Sequence, residues 1–336
     1  MKKKTIKIGF KYFGPGFDSQ DNFFINLLRK KYKVIISDNP DYMFYSVYPE
    51  VKKAKDLSRK GDLFKKISPK LYIFARKLYV KLAKVGKSNK PLIPQGNFVK
   101  IFHGSEHIKP NMDECDWAFS SKFEEDFSHP RHMWLPTYVA NDFQLGKKAI
   151  PPIKKKINFG RIKKEKTKFC NFIYSQEVPF RNDFFKKLSK YKKIDAPGRC
   201  MTNSPPIKSD SPKKSRISLN WVQEKIDYLK PYKFTMAFEN VSLSGWTTEK
   251  LTHPMLVNSI PIYFGDKNVK KEFNTKSFIN FHDFENMDKF IEYIIKVDND
   301  DKLYERILKK SWYNSKELPE WFKEESYLKR FKEIFG

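Results

Sequence analysis

Residues 232–265, YKFTMAFENVSLSGWTTEKLTHPMLVNSIPIYFG, limit the possible folds more than any other stretch of the chain. Residues 232–238 are aromatic and β-prone, residues 239–245 form a polar loop, and Thr248-Glu249-Lys250 opens an apolar-periodic run. Residues 259–264 give a second short apolar run, closed by Gly265. Strand, loop, helix and strand in this order predict a βαβ unit. Its polar residues gather at strand ends and at a helix start, the edge where α/β proteins bind ligands.

The chain before this unit alternates in the same way. Residues 6–10 read as a strand, Gly14-Pro15-Gly16 breaks it, and Phe23, Phe24, Leu27 and Leu28 mark a helix. Residues 34–36 and 42–47 read as strands separated by the turn Asp38-Asn39-Pro40-Asp41. Residues 52–97 interrupt the alternation: Leu71, Phe74, Ala75, Leu78, Leu82 and Val85 recur at helical spacing, with Lys70, Lys77, Lys81 and Lys84 mostly off that face. Such a basic amphipathic segment suits an anionic membrane surface, or equally a helix packed on its own domain. After a strand at 99–102 comes His103-Gly104-Ser105-Glu106, which puts Glu106 just past a strand end, a position for a site carboxylate. His103, His107, His129 and His132 are close in sequence, but Pro130 keeps the last two off one regular helix turn, so no metal site is expected. The Pro-, Lys- and Gly-rich residues 146–168 read as an interdomain linker.

A strand at 169–174 restarts the pattern, and its loop ends in Pro179-Phe180-Arg181-Asn182 before a helix from Asp183. Arg181 lies at a strand-to-helix junction, where helix N-terminal amides favour an anion and a guanidinium adds a bidentate phosphate contact. Residues 193–196 read as a strand, 203–216 as a Ser/Pro/Lys loop, and 221–229, 287–295 and 302–335 as helical. Arg181 and Lys250 thus stand one at each helix start, with Glu249 able to accept two sugar hydroxyls. This chemistry suits a nucleotide-sugar diphosphate; a plain Glu-Lys helix start is the alternative.

Length and charge narrow the class. With 336 residues, 40% of them hydrophobic, the chain can form two cored domains. No apolar run reaches the ~18 residues of a spanning helix, and MKKKTIKIGF has no apolar signal-peptide segment, so a cytoplasmic protein is expected. Three scattered cysteines support neither a disulfide framework nor a zinc site. The net charge of +28 fits nucleic acid, an anionic membrane or a phosphorylated substrate, or simply a lysine-rich composition. Zinc-finger and RNP-type patterns are absent, and nucleic acid is not expected as a partner. Gly-x-Gly-x-x-Gly and Walker A sequences are absent as well.

Tyr232-Lys233-Phe234, Ala237-Phe238-Glu239-Asn240, Thr248-Glu249-Lys250-Leu251, Ile260-Pro261-Ile262-Tyr263 and Gly265 together resemble the donor-site signature of the α1,3/4-fucosyltransferases, glycosyltransferase family 10. The Phe-Arg-Asn ending at 180–182, Phe273-Asn274, Lys276-Ser277-Phe278-Ile279 and His282-Asp283-Phe284 continue the likeness, and residues 102–111 resemble the family's acceptor-side motif. The likeness covers residues 99–140 and 168–284. It implies an α/β, GT-B architecture, two Rossmann-like domains facing across a cleft. Glu106 matches the general base, Arg181 and Lys250 the donor-diphosphate contacts, and Asn240 and Glu249 residues that hold the nucleotide-sugar. Val241 and Trp246 stand where the family usually has Ser and Tyr; Trp246 keeps an aromatic donor-site wall with one N–H donor.

The resulting expectation is an N-terminal acceptor domain at 1–150 with the 52–97 insertion, a linker at 151–167, a GDP-fucose domain at 168–300, and C-terminal helices at 301–336 packing back toward the first domain. The partners implied are GDP-fucose and a lactosamine-type glycan acceptor, on surface glycolipid, lipopolysaccharide or polysaccharide. The chemistry requires no metal, a divalent cation being at most stimulatory, and the 52–97 insertion adds peripheral contact with the inner membrane face as an option. A GT-B enzyme for another sugar nucleotide and a non-catalytic basic nucleic-acid or membrane-binding protein are the competing readings.

Overall fold

The structure, a computed structural model, describes residues 3–14, 17–48, 93–104, 108–153, 157–207 and 219–336. The first half runs β1 (Thr5–Lys11), α1 (Phe23–Lys31), β2 (Lys33–Ile36), β3 (Tyr42–Tyr45), β4 (Val99–Gly104), β5 (Trp117–Ser120), β6 (His132–Trp134) and α2 (Thr137–Asn141). Its strands form one sheet in the order β2-β1-β3-β4-β5-β6, parallel throughout. Asn22 starts α1 by accepting a hydrogen bond from the Ile25 amide at 3.1 Å, and Arg29, Lys30 and Lys31 end it with charges that suit the negative end of its dipole. Phe24, Ile25 and Leu28 of this helix share a core with Ile8, Phe44 and Ile101 of the sheet.

The second half runs α3 (Phe159–Glu165), β7 (Lys168–Asn171), α4 (Pro179–Leu188), β8 (Ile194–Asp195), α5 (Leu219–Leu229), β9 (Tyr232–Phe238), α6 (Glu249–Leu256), β10 (Ile260–Phe264), β11 (Ile279–Asn280), α7 (Met287–Asn299), α8 (Asp301–Leu308) and α9 (Glu324–Phe335). The second sheet, order β11-β10-β9-β7-β8, is also parallel. β9 is its centre, and six of its seven residues are buried, as the near-unbroken apolar run of a sheet covered on both faces requires. β9, α6 and β10 are the βαβ unit read from the sequence, in register from Phe234 opposite Ile260 to Phe238 opposite Phe264. Two parallel α/β sheets, one in each half, give the expected pair of Rossmann-like domains.

Three parts of the chain differ from the sequence reading or lie beyond it. Within the expected linker, Asn158 caps α3 and Ile162 buries itself in the second core, an element of seven residues with too little apolar periodicity to stand out. The helical stretch expected at roughly 302–335 is interrupted: α8 stops at Leu308, and Trp312 and Tyr313 fill an apolar cluster with Tyr138, Leu251 and Tyr263 between the halves. Only Asp300 separates α7 from α8, and Tyr304, Ile307 and Leu308 belong to the second core, so a division at 300/301 cuts a packed helical pair. The basic insertion at 52–97 lies outside the described residues except for its last five, 93–97.

α9 crosses to the first half. Tyr327, Phe331, Ile334 and Phe335 enter the first core, the Tyr327 ring meets Phe23 edge-on at 5.0 Å, and Lys4 Nζ donates to the Phe335 carbonyl at 2.6 Å. The halves also meet through buried polar pairs. Tyr138 donates to Glu272 at 2.7 Å, His253 Nε2 lies 3.0 Å from Asp142 Oδ2, and Thr247 holds the other Glu272 oxygen at 2.7 Å. Gly245, at φ +78°, passes so close to the Ser121 carbonyl that a Cβ there would lie 2.1 Å from its oxygen. Among the described residues no helix is long and apolar enough to cross a membrane.

Candidate functional site

The C-terminal ends of β7 and β9 and the starts of α4 and α6 surround a cavity of about 290 Å³. The Tyr174 hydroxyl ties the two strand exits together, donating to the Met236 carbonyl at 2.8 Å and accepting from the Phe238 amide at 2.6 Å. Gly198 closes the neighbouring turn: a Cβ on it would lie 2.2 Å from the Tyr174 carbonyl oxygen, so only glycine permits the approach.

Arg181 sits in the first turn of α4, which begins at Pro179, a residue suited to the first helical position. Its side chain is buried, 1% exposed, with the guanidinium 3.8 Å above the Tyr174 ring. It donates to the Gln176 carbonyl at 2.6 Å and to Asn240 Oδ1 at 3.0 Å, while its Nε has no hydrogen-bond partner among the described residues. Burial lowers its pKa, yet a guanidinium remains protonated in proteins. The result is a buried cation held by carbonyl dipoles and a ring, with no carboxylate bonded to it among the described residues. An anion entering the cavity supplies what that charge lacks.

The start of α6 is built around Glu239, 1% exposed at the end of β9. One carboxylate oxygen accepts from the Thr248 amide at 3.0 Å and the Thr248 hydroxyl at 2.6 Å; the other accepts from Lys250 Nζ at 2.8 Å. Thr248 is the N-cap, so Glu239 fixes the helix start and the lysine that follows it. Burial pulls the Lys250 pKa down, but Glu239 and Glu249 outweigh it and hold the ammonium well above the usual lysine range. Glu249, on the same cavity wall, lies 3.6 Å from Lys225 Nζ. Burial pushes the Glu249 carboxyl up, and Lys225 and Lys250 outweigh that, leaving it at about 2.

Four of the residues singled out from the sequence, Arg181, Asn240, Glu249 and Lys250, therefore line one cavity. Trp246 is buried at 6% exposure and is not among the lining residues. Glu106 lies outside the described residues, two positions beyond the end of β4 at Gly104. His103, buried on β4, is pushed down to about 4 by burial and is neutral at pH 7. No group of three or more His, Cys, Asp or Glu side chains among the described residues could hold a metal ion. A larger cavity of about 430 Å³ at the outer edge of the second sheet, by β11 and α8, shares no lining residue with the first.

Sequence reasoning missed Lys225 and the role of Glu239. Lys225 lines the cavity from α5 and is only 7% exposed. Its signal was present: Val222, Lys225, Ile226 and Leu229 follow the i, i+3, i+4, i+7 spacing of a buried stripe, and a lysine in such a stripe is out of place.

Comparison with known proteins agrees with this architecture. The family described as glycosyltransferase family 10 (fucosyltransferase), C-terminal part, matches residues 163–331, and the α-(1,3)-fucosyltransferase FucT N-terminal domain matches residues 8–57. The chain belongs to glycosyltransferase family 10. It is 38% identical over 160 residues to a putative fucosyltransferase of Acanthamoeba polyphaga mimivirus, covering 48% of this chain and 26% of that protein. It is 27% identical over 225 residues to the α-(1,3)-fucosyltransferase FucT of Helicobacter pylori, covering 62% of this chain and 46% of that one. The matches thus span less than half the length of these family 10 relatives. A crystal structure of an α1,3-fucosyltransferase with GDP-fucose superposes with a TM-score of 0.69 at 20% identity, over 99% of this chain and 91% of that one. That likeness establishes the shared GT-B fold.

Proposed function

We propose that this family 10 chain is a GDP-fucose-dependent α1,3-fucosyltransferase that works with inversion on a lactosamine-type glycan, at O3 of N-acetylglucosamine. The observation that carries the reading is Arg181, a buried cation with no carboxylate bonded to it among the described residues, lining with Lys250, Asn240 and Glu249 one cavity. Such a site suits a diphosphate at one end and hydroxyl groups at the other. The relatives' names and the GDP-fucose of the superposed structure support the choice of donor.

In this mechanism the acceptor hydroxyl oxygen attacks the fucose anomeric carbon as its bond to the diphosphate oxygen breaks. The hydroxyl proton passes to Glu106, and GDP leaves from the opposite face with the bonding electron pair. Arg181 and Lys250 stabilise the negative charge that grows on the leaving diphosphate, so neither a general acid nor a metal ion is needed for this step.

Mass-spectrometric detection of fucose transfer to N-acetyllactosamine and to its β1,3 isomer, with and without EDTA, tests the reading. Product on N-acetyllactosamine, unaffected by EDTA, is expected. Binding of a UDP-sugar or GDP-mannose in preference to GDP-fucose would overturn the donor assignment. Glu106→Gln should keep GDP-fucose affinity and lose ~10²- to 10⁴-fold in turnover, as removal of a general base does; near-normal turnover would remove Glu106 from that role.

A further inference from the structure

The cavity of about 430 Å³ beside β11 and α8 is separate from the first, and its volume lies in the range of small-ligand sites. Three cations line it: Lys276, just before β11, Arg306 on α8, and Lys310 just after that helix. None of the three has a carboxylate partner among the described residues. Neighbouring lysines that do not line the cavity are paired, Lys309 with Glu305 at 2.7 Å and Lys289 with Glu292 at 2.9 Å. Three such charges around one concavity favour an anion, and the planar fork of Arg306 suits a phosphate.

Asn280 supplies a different chemistry. It lies at the end of β11, lines the cavity and is 4% exposed. Its Nδ2 donates to Asp283 Oδ1 at 3.1 Å, and because a carboxylate only accepts, this bond fixes which way the amide points. Asn280 Oδ1 is then left buried with no hydrogen-bond partner among the described residues, a costly state that a hydroxyl reaching the floor of the cavity relieves. Asp283, on the exposed rim, keeps its second oxygen as a further acceptor. The Phe284 and Tyr293 rings, with centroids 5.2 Å apart, give an apolar wall for the C–H face of a sugar ring.

Cations, hydroxyl acceptors and an aromatic wall together match a ligand that carries both a phosphate and several hydroxyls. We propose that this cavity is a second binding site, for a phosphorylated sugar, with Lys276, Arg306 and Lys310 on the phosphate and Asn280 and Asp283 on the hydroxyls. The proposal does not rest on the nucleotide-sugar reading, because the two cavities share no lining residue. The ligand is either a soluble sugar phosphate or the phosphorylated sugar headgroup of a lipid.

Two measurements on the full chain test it: calorimetric titration with glucose 1-phosphate, inorganic phosphate and glucose, and co-sedimentation with phosphatidylcholine vesicles with and without phosphatidylinositol 4-phosphate. Glucose 1-phosphate should bind about ten-fold or more tightly than phosphate or glucose, the scale of one added hydrogen bond to a charged group. Its binding identifies a soluble ligand; binding only to the phosphoinositide vesicles supports the site with a lipid-borne one. In either case the double variant Arg306→Gln/Lys310→Gln should weaken binding by ~10-fold or more, and Asn280→Ala by about three- to ten-fold. Arg181→Met, in the other cavity, should leave it unchanged. Binding that Arg181→Met abolishes and the double variant leaves intact overturns the proposal, since the ligand then occupies the donor cavity. Phosphate bound as tightly as glucose 1-phosphate, vesicle binding that the double variant does not weaken, or binding of neither probe also overturns it. Should Asn280→Ala fail to fold, the double variant decides alone, since both of its positions are exposed.

Discussion

At the start of α4, Arg181 is buried among carbonyl oxygens, an amide and an aromatic ring; at the start of α6, Lys250 rests on the carboxylate of Glu239. Both cations face one cavity from helix N-termini, where backbone amides already favour an anion. They differ in what neutralises them. Lys250 is satisfied within the fold and contributes to its stability. Arg181 is charged without a bonded counter-ion among the described residues, a state that a bound anion relieves. Similar positions in two crossovers thus divide the work of structure and of binding.

The largest expected effect is on binding, from Arg181→Met. GDP affinity should fall by ~100-fold, the loss of two charge-assisted hydrogen bonds. Unfolding in urea should change by no more than about 1 kcal/mol, because removing a desolvated cation offsets the hydrogen bonds lost with it. Lys250→Ala should give the opposite balance. GDP affinity falls by ~10-fold, and stability falls by about 2 kcal/mol, since Glu239 is left as a buried carboxylate without its partner; the figure is below that for a fully buried pair because Lys250 is partly exposed. If Arg181→Met costs more stability than Lys250→Ala, the comparison fails. The smallest effect belongs to Trp246→Phe, expected to change GDP affinity by less than about three-fold because Trp246 does not line the cavity. A drop of ten-fold or more in calorimetry would show that the loop around residues 241–247 closes on the donor.

What could be read from the sequence divides along the same line. The start of α6 was legible because its signals are local: Thr248 as a cap, an acidic residue next, then an apolar run. Arg181 was legible as a basic residue between strand and helix, and the alternation of elements indicated an α/β chain, while its division into two Rossmann-like sheets came from the family resemblance. The function of Glu239 was not, because its three bonds reach residues 248 and 250 across a loop whose conformation is fixed by tertiary contacts such as Gly245 against Ser121. Lys225 sat in plain view within an apolar stripe, yet one cation in a strongly basic chain carries little information until its burial is known. Trp246 came only from the family resemblance, and its neighbours in sequence do not reveal that it is buried. Where the helical C-terminal stretch is interrupted was not legible, because the docking of Trp312 and Tyr313 between the halves is a tertiary event.

The path of α9 has a consequence for how the molecule comes into being. Tyr327, Phe331, Ile334 and Phe335 complete a core whose other members lie between Ile6 and Ala140. On the ribosome, Phe24, Phe44 and Phe119 emerge long before those four side chains exist. The nascent first half must therefore wait, incompletely covered, while the second half is synthesised and folds. Chaperone dependence and co-translational aggregation should concentrate in that interval, which closes when α9 docks on the first half.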